Sequence, residues 1–202
     1  MSGLVVIVVG VLLALAGDAA WAERGDRIRE REVLEDLLDE FRENDARLAN
    51  DIQINRRAAA AGAAWAEVML GKDTVSSDSL AALYIASNNT ARFDPVTGAL
   101  RSVLDGGELD VIRDDELRQF LAGWGDRAEE VRNTAQGMNI TRAALSTLVL
   151  SLDPGKPLGG GARTAVLMDA DYSDMNVQQM ENLRAHLGSI ISGIERALES
   201  PR

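Results

Sequence analysis

Residues 4–22 read "LVVIVVGVLLALAGDAAWA", nineteen residues carrying a single charge, Asp18. No other stretch constrains the chain so strongly. A helix built from it is apolar on every face, so it has no polar side to leave in water while a stripe packs on a core. Nineteen helical residues measure roughly 28 Å, close to the hydrocarbon thickness of a bilayer. Asp18 and Trp21 then fall near one interface, where indole rings are favoured and a carboxylate reaches water. Leu4, Val5, Val6, Ile7, Val8, Val9, Val11, Leu12, Leu13 and Leu15 form the expected anchor, with Trp21 at its edge. A cleaved export signal is the competing reading, since "ALA" and "AWA" resemble small-residue cleavage sites. The opening "MSG" holds no Lys or Arg, so the positive segment of such a signal is missing. The expectation is a retained transmembrane anchor over residues 1–22.

Arg24, Arg27, Arg29 and Arg31 follow the run, and no basic residue precedes it. Flanking Lys and Arg set the orientation of a span, whereas acids count for little. These four arginines are therefore expected on the cytoplasmic side, with the C-terminal domain there too. The matching location is a bacterial inner membrane, crossed once.

Beyond the anchor the chain reads as all-α. Four Pro are present and none precedes Pro95, while Ala, Leu, Glu and Arg, all strong helix formers, abound. Leu34, Leu38, Phe41, Leu48 and Ile52 recur at helical spacing, and Ala59 extends the row. The spacing predicts a stalk helix from about Asp26 to Leu70, possible as a continuation of the anchor and roughly 67 Å long. Asp45 and Asn55 interrupt the row, which argues against a clean two-stranded coiled coil and for packing inside a bundle. Gly71 is placed to end the helix. Ser77 or Asp78 opens a short helix, Thr97 to Leu104 reads as another, and "ELDVI" as a brief extended or turn piece. Asp114 caps a helix that Gly123 and Gly125 could kink before it runs on towards Leu152. "DPGKPLGGGART", residues 153–164, reads as a Gly/Pro linker. Met180, Leu183, Leu187, Ile190, Ile191, Ile194 and Leu198 then mark an amphipathic helix from Asp174, packing on the bundle. The domains are thus an anchor (1–22), a stalk and antiparallel bundle (23–152), a linker (153–164) and a C-terminal helix (165–202).

The stretch "VTGALRSVLDGGELDVIRDDELRQFLAGW" resembles a family of uncharacterised bacterial proteins with one N-terminal transmembrane helix followed by a helical bundle. The family's pattern is a short helix, a Gly, a Leu and an Ile from a turn, then a charged helix start ending in aromatics. Leu100, Leu104, Gly107, Leu109, Ile112, Leu117, Leu121 and Trp124 match it here. "AWAERGDRIREREVLEDLLDEF" is similar to the family's post-span helix, and "MENLRAHLGSIISGIERALES" to its closing one. The chain departs from it in carrying Ala20 and Ala22 beside Trp21, and fewer aromatics near the charged helix. The resemblance implies a single-span helical protein with no established activity and no catalytic residues to transfer.

The chemistry that the residues exclude points the same way. With no Cys there are no disulfides or thiolate metal sites, and a formal charge of −11 lacks the basic footprint of a nucleic-acid binder. His186 is the sole His, so a triad has one candidate base and a zinc site lacks imidazoles. Glu32, Asp36, Asp39 and Glu40 form helical carboxylate pairs, read as a solvated face rather than a cation site. "GGGART" lacks the Gly-Lys-Ser/Thr phosphate signature. The expected function is non-catalytic, without cofactor or metal: an accessory or scaffold subunit stabilising a larger membrane complex, of a respiratory or photosynthetic type for instance. Its expected partners are the lipid bilayer and other membrane protein subunits. The alternative is a membrane-tethered signalling or stress-sensing module that self-associates, as a homo-oligomer, through Asp26 to Leu70.

Overall fold

The computed structural model describes the backbone of residues 2–150 and 158–199, and the side chains of residues 15–147 and 158–199. Five α-helices and one 3-10 turn make up the regular structure there: α1 Ser2–Met69, α2 Ser77–Ser87, α3 Gly98–Asp105, the turn Glu108–Val111, α4 Asp115–Leu150 and α5 Gly160–Glu199. The fold class is all-α. The side chains of the anchor set from Leu4 to Leu13 lie outside the described residues. Among the described residues no helix is long and apolar enough to cross a membrane.

α1 runs unbroken through the apolar run and the stalk. It stops where the sequence places a glycine. Gly71 has φ 76°, a left-handed conformation that costs glycine little. Its N–H donates to the Val68 carbonyl at 3.0 Å and the Lys72 N–H to Glu67 at 2.9 Å, the paired bonds that satisfy the last carbonyls of a helix.

The second half of α1 is the spine of the bundle. Leu34, Leu37, Leu38, Phe41, Leu48 and Ile52 are buried, on the face marked by their spacing. α5 packs along this face antiparallel to α1, and α4 packs against the other side of α5. Register between α1 and α5 is marked by ion pairs: Arg42 with Glu195 (2.8 Å), Arg184 with Asp45 (2.8 Å) and Arg56 with Glu181 (2.7 Å). Each lies at the surface, where such a pair contributes about 0–1 kcal/mol, so they select an alignment that burial stabilises. The long core joins α1, α4 and α5 around Trp124, Leu121 and Leu187, and a smaller one gathers Trp65, Leu145 and Val166 at the far end beneath α2.

The irregular segment between α2 and α3 is held by polar groups on α1. The Glu40 carboxylate accepts the N–H groups of Ala99 (2.6 Å) and Leu100 (3.1 Å), serving the open N-terminus of α3. Asn44 donates to the Val96 carbonyl and accepts its N–H, both at 2.8 Å. Asn55 donates to the Ala91 carbonyl at 2.9 Å. All three side chains are buried. A covered chain with no strand partner needs its backbone groups satisfied in this way. The interruption at Asn55 in the apolar row is therefore this clasp. Asn44 and Glu40 belong to it as well, although Glu40 reads as solvated in the sequence.

"ELDV" forms a 3-10 turn, one of the two forms expected, entered through Gly107 at φ 69°. α4 runs through Gly123 and Gly125 as one helix to Leu150. One boundary differs from the sequence reading. The linker assigned to 153–164 is helical from Gly160 onward, while 153–157 lie outside the described residues. Glycines in a first turn weaken a helix little, and Ala162, Val166, Asp169 and Ser173 are buried there. α5 is consequently a forty-residue core helix wedged between α1 and α4, rather than an appended one beginning at Asp174.

Candidate functional site

Residues 15–29 of α1 are exposed throughout, and burial begins at Glu30. The helix is therefore exposed over roughly 21 Å from Leu15 to Arg29. Leu15 and Trp21 are uncovered, Trp21 at 82% of its surface. The arm leaves the bundle beside the start of α4 and the end of α5. There the chain forms a cleft of about 810 Å³, lined by Arg24, Arg27 and Arg31 of α1, Arg113 before α4, and Arg196 of α5.

Three of the four orientation-setting arginines engage acids. Arg27 pairs with Glu23 (2.6 Å), Arg31 with Glu35 (2.8 Å), and Arg29 reaches across to Glu108 in the 3-10 turn. Arg24 has no ion pair among the described residues. Glu30 accepts the Arg113 N–H at 2.7 Å and ties the start of α4 to α1. Asp114 accepts the Leu117 N–H at 3.0 Å, the expected cap of α4. Arg113 and Arg196 are far from the arm in sequence, and no periodicity on α1 could have found them.

The residues that carry the family resemblance gather in the core rather than at a pocket. Leu100, Ile112, Leu117, Leu121 and Trp124 are buried, and Leu109 packs partly against them. Leu104 does not join them. It is 41% exposed, because the two turns of α3 bury Leu100 and Val103 instead. Gly107 provides the left-handed step between α3 and the turn.

His186 is half-buried beside this core. Its ring meets Phe120 edge-on at 5.1 Å and lies parallel to Trp124 at 6.4 Å. Burial makes it a weaker base than ordinary histidine, Arg127 adds repulsion, and a backbone hydrogen bond at Phe120 partly opposes both. Nε2 is buried without a hydrogen-bond partner among the described residues, so a proton there would be unsatisfied. With the folded pKa depressed below its ordinary 6.5, the unfolded chain binds the proton better. Stability from this group is full at pH 7.5 and is expected to fall as pH drops through 6.5 towards the lower folded value. Denaturation midpoints at pH 7.5 and 5.5 check this: His186→Leu should show the smaller difference of the two proteins.

A shallower groove of about 510 Å³ runs between α4 and α5, with Asp126, Glu129 and Glu130 on one wall and Tyr172 and Met175 on the other. Among the described residues no group of three or more His, Asp or Glu side chains is arranged to hold a metal ion. No protein-family model, no curated protein and no solved structure matches the chain.

Proposed function

We propose that the chain is a single-span accessory subunit that stabilises a larger membrane assembly through its helical bundle. The observation that carries this reading is the continuity of α1. One helix includes the apolar run, leaves residues 15–29 uncovered, and then becomes the spine of the bundle. A span joined to a folded domain without a flexible link holds that domain at a fixed height and angle above the bilayer. This suits a clamp on neighbouring subunits. The arginine flank supports an orientation with the bundle on the cytoplasmic side of the inner membrane. The stalk's apolar face is occupied by α5 and the α2–α3 segment within the same chain, which leaves self-association through it without a favouring observation.

Purification of the tagged full-length chain in a mild detergent tests the proposal. The expected result is co-purification with membrane subunits in fixed proportion, and loss of that complex from the native profile of a deletion strain. A chain recovered alone, with an unchanged profile in the deletion strain, would overturn it.

A further inference from the structure

We infer that the arginine cleft at the root of α1 binds the phosphate-bearing headgroup of an anionic lipid. This rests on the reading of residues 4–22 as a retained bilayer span. The chain carries a formal charge of −11, yet the cleft gathers five arginines against Glu23, Glu30 and Asp114. Arg27 pairs with Glu23 (2.6 Å), Arg31 with Glu35 (2.8 Å) and Arg113 with Glu30 (3.5 Å), while Arg24 has no ion pair among the described residues. Glu30 also holds the Arg113 backbone N–H at 2.7 Å, and Asp114 holds the Leu117 N–H at 3.0 Å. An anion entering the cleft meets the Arg24 guanidinium first, and a paired guanidinium beside it keeps further N–H donors, since each has five.

The position of the cleft selects the occupant. Ala20, Arg24, Arg27, Arg31 and Leu34 follow one another at steps of four, three, four and three residues, so one stripe of α1 faces the cleft. Ala20 lies within the apolar run that ends at Ala22. Arg24 and Arg27 then stand roughly 3 and 8 Å beyond the end of the run, at the depth of lipid headgroups. Arg31 lies roughly 14 Å beyond it, and Arg113 and Arg196 close the far side. Ile28, Ala197 and Leu198 supply an apolar wall that an acyl or glycerol segment can lie against. Guanidinium groups suit this ligand because their forked donors match phosphate oxygens. Basic clusters next to a span gain affinity for anionic headgroups with each added arginine.

The test reconstitutes the full-length chain into phosphatidylcholine vesicles containing a trace of spin-labelled phosphatidylglycerol or spin-labelled phosphatidylcholine. Alkaline extraction of the same vesicles reports independently whether the chain is inserted. The chain should resist extraction and immobilise the anionic label in preference to the zwitterionic one. Arg24→Gln with Arg31→Gln should weaken that preference roughly tenfold or more. Arg57→Gln with Arg92→Gln changes net charge equally and should leave it intact. Both control positions are exposed, and Arg57 is about 39 Å along α1 from Arg31. An inserted chain with no preference, or equal losses in the two double variants, would overturn the headgroup site and leave the anchor standing. A chain released by alkali would overturn the anchor and the lipid source together. Displacement of the anionic label by millimolar inorganic phosphate would make soluble phosphate the ligand and overturn the lipid source alone.

Discussion

Asp169→Ala is expected to destabilise the bundle by about 3–5 kcal/mol, among the largest effects available to a single substitution. Asp169 and Arg142 face each other between α5 and α4 with only 8% of each side chain exposed and an Nε–Oδ1 distance of 3.0 Å. Nη2 of Arg142 donates to the Ser173 hydroxyl at 2.9 Å, and that hydroxyl donates to the Asp169 carbonyl at 2.7 Å. Nη1 is buried with no hydrogen-bond partner among the described residues, so the guanidinium is satisfied only through Nε and Nη2. Removing the carboxylate strands a full charge where water cannot follow. Arg142→Met strands the opposite charge and should cost a similar amount. The double variant Arg142→Met with Asp169→Leu removes both charges and fills the space with apolar atoms. It is expected to recover the loss and to match or exceed the parent by up to about 4 kcal/mol. Urea denaturation of the detergent-solubilised full chain, followed by helical circular dichroism, measures all four proteins. Additive losses in the double variant would show that the two side chains act independently, against their direct contact.

That pair also shows why part of the fold escapes a reading of the sequence. Met180, Leu183, Leu187, Ile190 and Ile194 are buried and announce the second half of α5 by their spacing. In the first half the buried positions are Ala162, Val166, Asp169, Ser173 and Asn176, three of them polar. Their period is helical, but an apolar count cannot see it, so the helix reads as beginning late and its first turn as a linker. The same substitution of polar for apolar at buried positions hides the clasp on α1. Glu40 and Asn44 occupy the inner face, and they are buried because the backbone around Val96 and Ala99 needs their hydrogen bonds. What burial by apolar atoms encodes was legible: the row on α1, Gly71 as its stop, Asp114 as the α4 cap, and an all-helical class. The cleft was half legible. Arg24, Arg27 and Arg31 stand out beside the apolar run, whereas Arg113 and Arg196 join them only because α4 begins and α5 ends at the level where α1 enters the bundle.

Trp124→Ala is expected to cost about 3–5 kcal/mol, the range for deleting a buried large aromatic. Trp124 is 1% exposed and stands where α1, α4, α5 and the α2–α3 segment meet. Phe41 of α1 meets it edge-on at 5.3 Å and Phe93 at 6.5 Å, while His186 of α5 lies parallel to it at 6.4 Å. Edge-to-face pairs of this kind add about 0.5–1.5 kcal/mol each beyond burial. Alanine therefore removes partners from three other elements at once and leaves a cavity that no single side chain can refill. A smaller change should cost less, because Nε1 of Trp124 is buried without a hydrogen-bond partner among the described residues. Trp124→Phe deletes that unsatisfied donor, a gain of about 1–3 kcal/mol that offsets much of the lost volume. Phenylalanine should consequently lie far closer to the parent than alanine does in the same denaturation experiment. Trp21→Ala, at an 82% exposed position on the arm, is expected to change stability by no more than about 0.5 kcal/mol. A Trp124→Phe midpoint as low as that of alanine would mean that the indole N–H is satisfied in solution, and a small alanine effect would mean that the four elements are not locked around this ring.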